Sequence, residues 1–248
     1  MLNIPLEQER ITSFIREYCR ITGFKHLVIG LSGGIDSALS AALAVQAVGA
    51  DNVFAVNIPY RNSHPDSAAD ANIVAKHLGL QLTTIDLSPM TDTYFDSYYP
   101  QASRLRRGNW MARIRMNVLY DFAALHNALV VGTGNRTELL VGYCTQYGDS
   151  ACAFEPIGHL YKTEVWQMAR YLMIPEKIIT KTPTADLWEG QSDEEELGIS
   201  YSDLDEILVH LTETFVQPDY PLETLNKVRQ LIAGSEFKRN MPPVLERK

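Results

Sequence analysis

A chain of 248 residues with 46% apolar and 21% charged side chains has ordinary globular composition, which excludes a disordered, collagen-like or coiled-coil protein. Its 22 Lys and Arg against 30 Asp and Glu give a formal charge of -8, so no broad positive field favours nucleic acid or an anionic membrane, and an anionic substrate must be met by local groups. Three cysteines, Cys19, Cys144 and Cys152, form neither an even disulfide framework nor a C-x-x-C zinc pattern, and a reducing compartment fits them best. With no leader-like N-terminus and no apolar run near the roughly 18 residues of a membrane span, the expectation is a cytoplasmic protein.

Taken in order, Leu6, Ile11, Phe14, Ile15 and Tyr18 have the spacing of one helical face and predict an amphipathic helix over about residues 5–21. A branched apolar run at His26 to Leu31 reads as a strand, followed by a Gly/Ser turn and an Ala- and Leu-rich helix from Ser37 to Val48. The alternation continues with a strand at Val53 to Ile58, a helix at about Asp66 to Leu78, a strand at Gln81 to Leu87, helical stretches to about Leu125, and a strand at Ala128 to Val131. Continuous apolar strands between helices predict a doubly wound parallel α/β sheet covered on both faces. Further helices are expected at Tyr161 to Leu172, Ser202 to Leu211 and Leu222 to Ile232. Between them, Thr180 to Ser200 carries Pro183, Gly190, Gly198 and an acidic run from Asp193 to Glu196 without clear periodicity. Such a stretch is expected to be functional or disordered, and the acidic run reads as solvated surface. Trp166 reads as core, and His26, His77 and His126 as structural or surface residues. No repeat or linker divides the chain, so one domain is expected over residues 1–248.

The segment Gly30-Leu31-Ser32-Gly33-Gly34-Ile35-Asp36-Ser37 sits where a parallel strand gives way to a helix, the place where α/β sheets bind ligands. Its glycines permit a tight turn that presents N–H groups to an anion, the helix start adds positive partial charge, and Asp36 is a hard oxygen ligand suited to Mg²⁺ beside phosphate. The spacing matches neither G-x-x-x-x-G-K-[ST] nor G-x-G-x-x-G. The plainer reading, an Asp near the start of a helix after a glycine turn, remains open on this segment alone.

The run resembles the SGGxDS diphosphate loop of the N-type ATP pyrophosphatases. Further blocks, Gly132 to Tyr143 with Glu138, Tyr147-Gly148-Asp149, Pro156-Ile157, Tyr161-Lys162-Thr163-Glu164, Lys181 to Leu187 and Gln191 to Gly198, with Gly108-Asn109, Arg113 and Arg115, resemble the ammonia-dependent NAD synthetases over nearly the whole chain. That resemblance implies an adenine nucleotide alpha hydrolase-like fold. The implied activity is a ligase that adenylates the nicotinate carboxylate of deamido-NAD with ATP and amidates it with ammonia, giving NAD, AMP and diphosphate. It also implies ATP on Gly30, Leu31, Ser32, Gly33, Gly34, Ile35, Asp36, Ser37, Thr133, Lys162 and Thr184. Mg²⁺ would lie on Asp36 and Glu138, and catalysis would involve Asp36, Lys162 and Thr184. Deamido-NAD would lie on Arg113, Gln146, Asp149, Phe237 and Lys238, in a site shaped by a homodimer interface. The segment from Thr180 to Ser200 is then expected to act as a lid that excludes water from the reactive adenylate.

Three positions depart from the family pattern, all on the deamido-NAD side: Gln146 where a Lys is usual, Ala153 where an Asp is usual, and Phe237 where a His precedes Lys-Arg. Glu155, two residues beyond Ala153, would share its face in an extended segment and could replace the missing carboxylate. Among rivals, a tRNA-thiolating enzyme would want a reactive cysteine pair and a basic surface, and neither is visible. A non-catalytic nucleotide-binding module is disfavoured by Asp36, Glu138 and Lys162 occurring together. Because the matching blocks occupy Gly30 to Arg239 and no cysteine suggests an amidase nucleophile, free ammonia is the expected nitrogen donor.

Overall fold

The computed structural model describes residues 2–188, 190–214, 216 and 218–246. In chain order its elements are α1 (Ile4–Thr22), β1 (His26–Gly30), α2 (Ile35–Val48), β2 (Val53–Asn57), α3 (Pro65–His77), β3 (Leu82–Thr84), α4 (Ser88–Tyr98), α5 (Arg104–His126) and β4 (Ala128–Val131). There follow α6 (Arg136–Val141), α7 (Lys162–Tyr171), α8 (Glu176–Ile179), α9 (Asp193–Leu197), α10 (Tyr201–Val209) and α11 (Leu222–Arg239).

The strands pair in parallel in the order β3-β2-β1-β4. Successive side chains of a strand point to opposite faces, and both faces are buried here. Leu27 and Ile29 of β1 enter one core with Ala55 and Val131, where α1, α2, α3, α7 and α8 contribute Ile15, Leu39, Val74, Val165 and Ile178. Val28 enters the other with Val56 and Val130, where α5 contributes Met116 and Leu119. Helices on both faces of a parallel sheet make this the doubly wound architecture that the apolar strand runs predict. A third apolar cluster lies beyond the sheet, built by Val141 of α6, Leu197 of α9, Tyr201 and Leu204 of α10, and Leu225 and Val228 of α11.

Several local expectations change in the folded chain. The opening helix buries Ile11, Ile15 and Cys19 but leaves Leu6 and Phe14 largely exposed, and it also buries Glu7. That carboxylate is tolerated because His159 lies 2.8 Å and Arg10 2.7 Å from its oxygens. The helical stretch before Leu125 is two helices, α4 and α5, with Ser103 capping the second through the Arg106 N–H. Strand β3 stops at Thr84, short of the expected Leu87, although Ile85 and Leu87 still donate to the Asn57 and Pro59 carbonyls. Helix α11 runs past Ile232 to Arg239, because its polar end has a partner: the Arg239 guanidinium donates to the Leu139 and Leu140 carbonyls at the end of α6, at 3.0 and 2.7 Å. The acidic run is not simply solvated loop. It forms α9, and Asp193 at its start is 4% exposed.

Candidate active site

The order β3-β2-β1-β4 places the topological switch between β1 and β4. Ile29 sits beside Val131 in the ladder, so the glycine segments after Gly30 and after Val131 leave the sheet side by side. The first is anchored by the Leu31 N–H donating to the Val56 carbonyl at 2.8 Å and by the buried Asn57 amide donating to the Leu31 carbonyl at 2.6 Å. Gly33 adopts φ 82°, and a Cβ there would lie 2.6 Å from the Ser67 carbonyl of α3, so only glycine fits. Ser32 Oγ accepts from the Gly34 N–H and lies 3.2 Å from Ser37 Oγ, and Gly34 caps α2 without any side chain over its first N–H groups. A helix start with free N–H groups is ready to receive an anion.

Asp36, in the first turn of α2, faces α6 and α7. Its Oδ2 lies 2.6 Å from Lys162 Nζ, and its Oδ1 accepts from the Asn135 amide at 2.9 Å. The same Lys162 Nζ lies 3.2 Å from Glu138 Oε1. Asn135 caps α6 by accepting from the Glu138 N–H, while Glu138 reaches back to the Asn135 N–H, so one capping box holds both partners of the lysine's surroundings. The start of α7 is held by Lys162 N–H donating to Thr137 Oγ1 and by Thr163 N–H donating to buried Asp205, which also accepts from the Thr137 hydroxyl. Lys162 is only 2% exposed, and its ammonium lies 5.0 Å above the Tyr201 ring. Burial alone would lower its proton affinity, but Asp36 and Glu138 outweigh that and raise it. Burial raises the Glu138 carboxyl, Lys162 opposes, and Asp36 and Asp193 add to the rise.

These groups line a cavity of about 560 Å³, the size of a small-molecule site. Of the residues expected to meet ATP, Gly30, Leu31, Ser32, Gly34, Ile35, Asp36, Ser37, Thr133, Lys162 and Thr184 are on its wall, and Gly33 is turned behind it onto α3. Asp149 and Lys238 are also on the wall, and the Lys238 ammonium donates to the Gly142 and Cys144 carbonyls. Arg113, Gln146 and Phe237 are not brought to it. Arg113 is exposed and donates to the Gln146 carbonyl at 3.2 Å, and Phe237 is 58% exposed. Glu155 accepts from the Gly134 N–H at 2.9 Å beside Cys152, where a Cβ on Gly132 would collide with both. Burial pushes the Glu155 carboxyl up to about 7.

Two hard carboxylates converging on one cationic point suit Mg²⁺, which takes one or two protein carboxylates and completes its shell with phosphate oxygens and water. Among the described residues no three His, Cys, Asp or Glu side chains gather as a metal cluster, so an ion held here would depend on such outside oxygens.

The segment after α8 lines the cavity through Lys181, Thr184, Asp186 and Trp188. Its contacts fix it from both sides. Asp186 accepts from the His64 N–H at 2.7 Å, and Asp193 accepts from Ala185 N–H and from the Tyr143 and Tyr201 hydroxyls at 3.0 to 3.1 Å. The buried, hydrogen-bonded place of Asp193 was hidden by its neighbours Glu194 to Glu196, which resemble any solvated acidic run. Asn135 was also missed, although an Asn followed three residues later by Glu is a helix-start signature. Asn57 and Asp205 carried no local signal, since each acts on an element distant in sequence.

The chain matches a family model described as NAD synthase over residues 7–242. It is 45% identical to the NH(3)-dependent NAD(+) synthetase of Trichlorobacter lovleyi, over 98% of this chain and 91% of that protein. Among solved structures it is similar to the NH3-dependent NAD synthetase of Campylobacter jejuni, at a TM-score of 0.86 and 35% identity, covering 99% of this chain and 100% of that one. It is likewise similar to the NMN synthetase of Francisella tularensis, at a TM-score of 0.90 and 30% identity, covering 99% of each chain.

Proposed function

The chain belongs to the NAD synthase family, and on that premise we propose that the cavity at the β1/β4 switch is where both of its half-reactions take place. The activity is that of an ammonia-dependent ligase: ATP adenylates the nicotinate carboxylate of deamido-NAD, and ammonia then displaces AMP to give NAD.

In the first half-reaction a carboxylate oxygen bonds to the α-phosphorus while the bond to the diphosphate breaks. Both reactants are anions, so positive groups must be gathered around them. The loop from Gly30 to Ser37 holds the triphosphate on backbone N–H groups and the two serine hydroxyls. Lys162 donates to phosphate oxygens from a buried position, where its charge is little screened, and Thr133 and Thr184 add contacts to ATP. Asp36 and Glu138 are the residues that would hold Mg²⁺, and the ion would supply positive charge beside the phosphates. In the second half-reaction ammonia attacks the acyl carbon of the adenylate, AMP leaves, and the excess proton is lost. Water would compete, and the segment from Thr180 to Ser200 covers the mouth against it.

Arg113, Gln146, Asp149, Phe237 and Lys238 recognise deamido-NAD in this reading. Three of them lie off the cavity wall of a single chain, which is the arrangement a homodimer would complete with its second copy. No helix among the described residues is long and apolar enough to cross a membrane; in this reading residues 1–248 act as one NAD synthetase domain in the cytoplasm. One observation carries the assignment of the site: two carboxylates and a buried lysine from three separate elements converge beside a glycine loop at the switch point. The test is incubation with ATP, Mg²⁺, ammonium and deamido-NAD, with chromatography of the products. NAD, AMP and diphosphate are expected; ADP with orthophosphate would overturn the assignment.

A second acceptor is favoured by the close match to an NMN synthetase over the whole of both chains, together with departures from the family pattern that all fall on the dinucleotide side. Nicotinate mononucleotide carries the same reacting carboxylate without the adenylyl half. Its kcat/KM in the same assay, set against that of deamido-NAD, decides which acceptor the chain prefers.

A further inference from the structure

One cluster at the cavity is not accounted for by the residues assigned above. Asp70 of α3 is 1% exposed, yet two lysines converge on it. Lys181 Nζ lies 2.8 Å from Oδ2, and Lys177 Nζ lies 2.7 Å from Oδ1 as an ion pair without hydrogen-bond geometry. Burial would raise the Asp70 carboxyl, but the two ammonium groups outweigh it and hold it below the usual range. One carboxylate with two ammonium groups leaves an excess positive charge. Asp66 is the nearby acid that could offset it, and its side chain is 61% exposed and screened by solvent. The composition is reversed at Lys162, where one ammonium meets two carboxyl groups.

The position of the excess positive charge is informative. Gly33 of the phosphate loop packs directly on Ser67 and Asp70, and Lys181 Nζ reaches within 3.4 Å of Ser67 Oγ. Lys181 and Ser67 both line the cavity, and the Lys181 side chain retains 20% exposure. The cavity thus has the carboxyl pair Asp36 and Glu138 at one end and surplus ammonium charge at Lys181 at the other, an arrangement complementary to a divalent cation bound beside a polyphosphate. Lys177, at 53% exposure, is not among the residues lining the cavity.

We propose that Lys181 is a binding residue for the diphosphate end of ATP, parked on Asp70 until the anion arrives. Lys177 is the reason the move is inexpensive: when Lys181 turns to the phosphates, Asp70 keeps a cation and is not left as a bare buried charge. Asp70 is then a positioning residue that aims Lys181 at the loop. The inference rests on the placement of ATP proposed above.

The test titrates inorganic diphosphate and, separately, AMP into the full chain with Mg²⁺, comparing wild type with Lys181→Met, Lys181→Arg and Ser32→Ala. Loss of a charge-assisted contact should weaken diphosphate about tenfold or more in Lys181→Met, with AMP changed less than about twofold and Lys181→Arg recovering most of the loss. If Lys181 merely staples its segment to α3, Lys181→Met will melt earlier yet bind diphosphate like wild type while Ser32→Ala binds it poorly, and the proposal falls. Equal weakening of diphosphate and AMP in Lys181→Met would also overturn it, as general damage to the site. If neither Ser32→Ala nor Lys181→Met alters diphosphate binding, the placement of ATP itself is wrong and the inference falls with it.

Discussion

At the scale of single residues, the site is organised by charge compensation in places shielded from water. Lys162 can stay buried because Asp36 and Glu138 neutralise it, and those carboxylates are brought together by it. Asp36→Asn and Glu138→Gln keep the shape of each side chain but remove a hard oxygen ligand. Each should lower turnover by about a hundredfold, equivalent to about 3 kcal/mol of lost charge stabilisation, while circular dichroism stays that of the wild type. Near-normal rates in both variants at limiting Mg²⁺ would remove the metal from Asp36 and Glu138. Glu155 offers a separate test. Folding raises its carboxyl from the ordinary range to about 7, so the folded chain retains a proton that the unfolded chain releases earlier. The associated stability is fully present below the ordinary carboxylate range and is lost as pH rises through about 7, by at most on the order of 3 kcal/mol at 1.4 kcal/mol per tenfold change in proton affinity. Between pH 5 and 8 the melting temperature of wild type should therefore fall relative to that of Glu155→Gln. Parallel pH profiles would mean that Glu155 ionises normally in the folded chain.

At the scale of elements, short helices and caps do the positioning. Helix α6 is only Arg136–Val141, too short to persist alone, and it is held by its capping box, by Asp205 through Thr137, and by Arg239 at its carbonyl end. The segment from Lys181 to Gly198 has a similar character, tied by Asp193 to Tyr143 and Tyr201 and by Lys181 to Asp70. An ATP analogue that engages Thr184 and Lys181 should slow hydrogen exchange across residues 182–192. The Ala185 amide, already bonded to Asp193, should change least. Identical exchange with and without the analogue would show that this segment takes no part in covering the bound nucleotide.

At the scale of the whole molecule, the nitrogen source follows from the cysteines. Taking nitrogen from glutamine requires a nucleophile to attack its amide, and a thiolate is the usual one. Burial raises Cys19, pushes Cys144 up to about 11, and raises Cys152, with Glu155 adding to the effect. None is a ready nucleophile near neutral pH. The isolated chain should use ammonium directly, lose rate as falling pH converts NH₃ to NH₄⁺, and show negligible rate with ammonia-free glutamine at matched concentration. Efficient use of glutamine would mean that one of these thiols is activated in a way its surroundings do not suggest.

Much of this architecture was legible in the sequence because its signals are local. The run Leu27 to Leu31, short, apolar and bounded by helical patterns, reads as a strand buried on both faces, and its succession with helices points to a parallel doubly wound sheet. The glycine loop was legible for the same reason, since backbone freedom at Gly33 and a carboxylate at Asp36 are written within eight consecutive residues. What only the tertiary structure decided were the relations between segments far apart in the chain. Sequence spacing could not tell that Asp36 and Lys162, 126 residues apart, meet at 2.6 Å, or that Asp70 would find two lysines more than a hundred residues away. Nor could it tell Asp193 from its acidic neighbours: all four have the same intrinsic preference for water, and only the arrival of Tyr143, Tyr201 and the Ala185 N–H compensates the burial of that one. Composition and periodicity report the preference of a residue averaged over environments, whereas the fate of a buried charge depends on which partners the fold delivers to it.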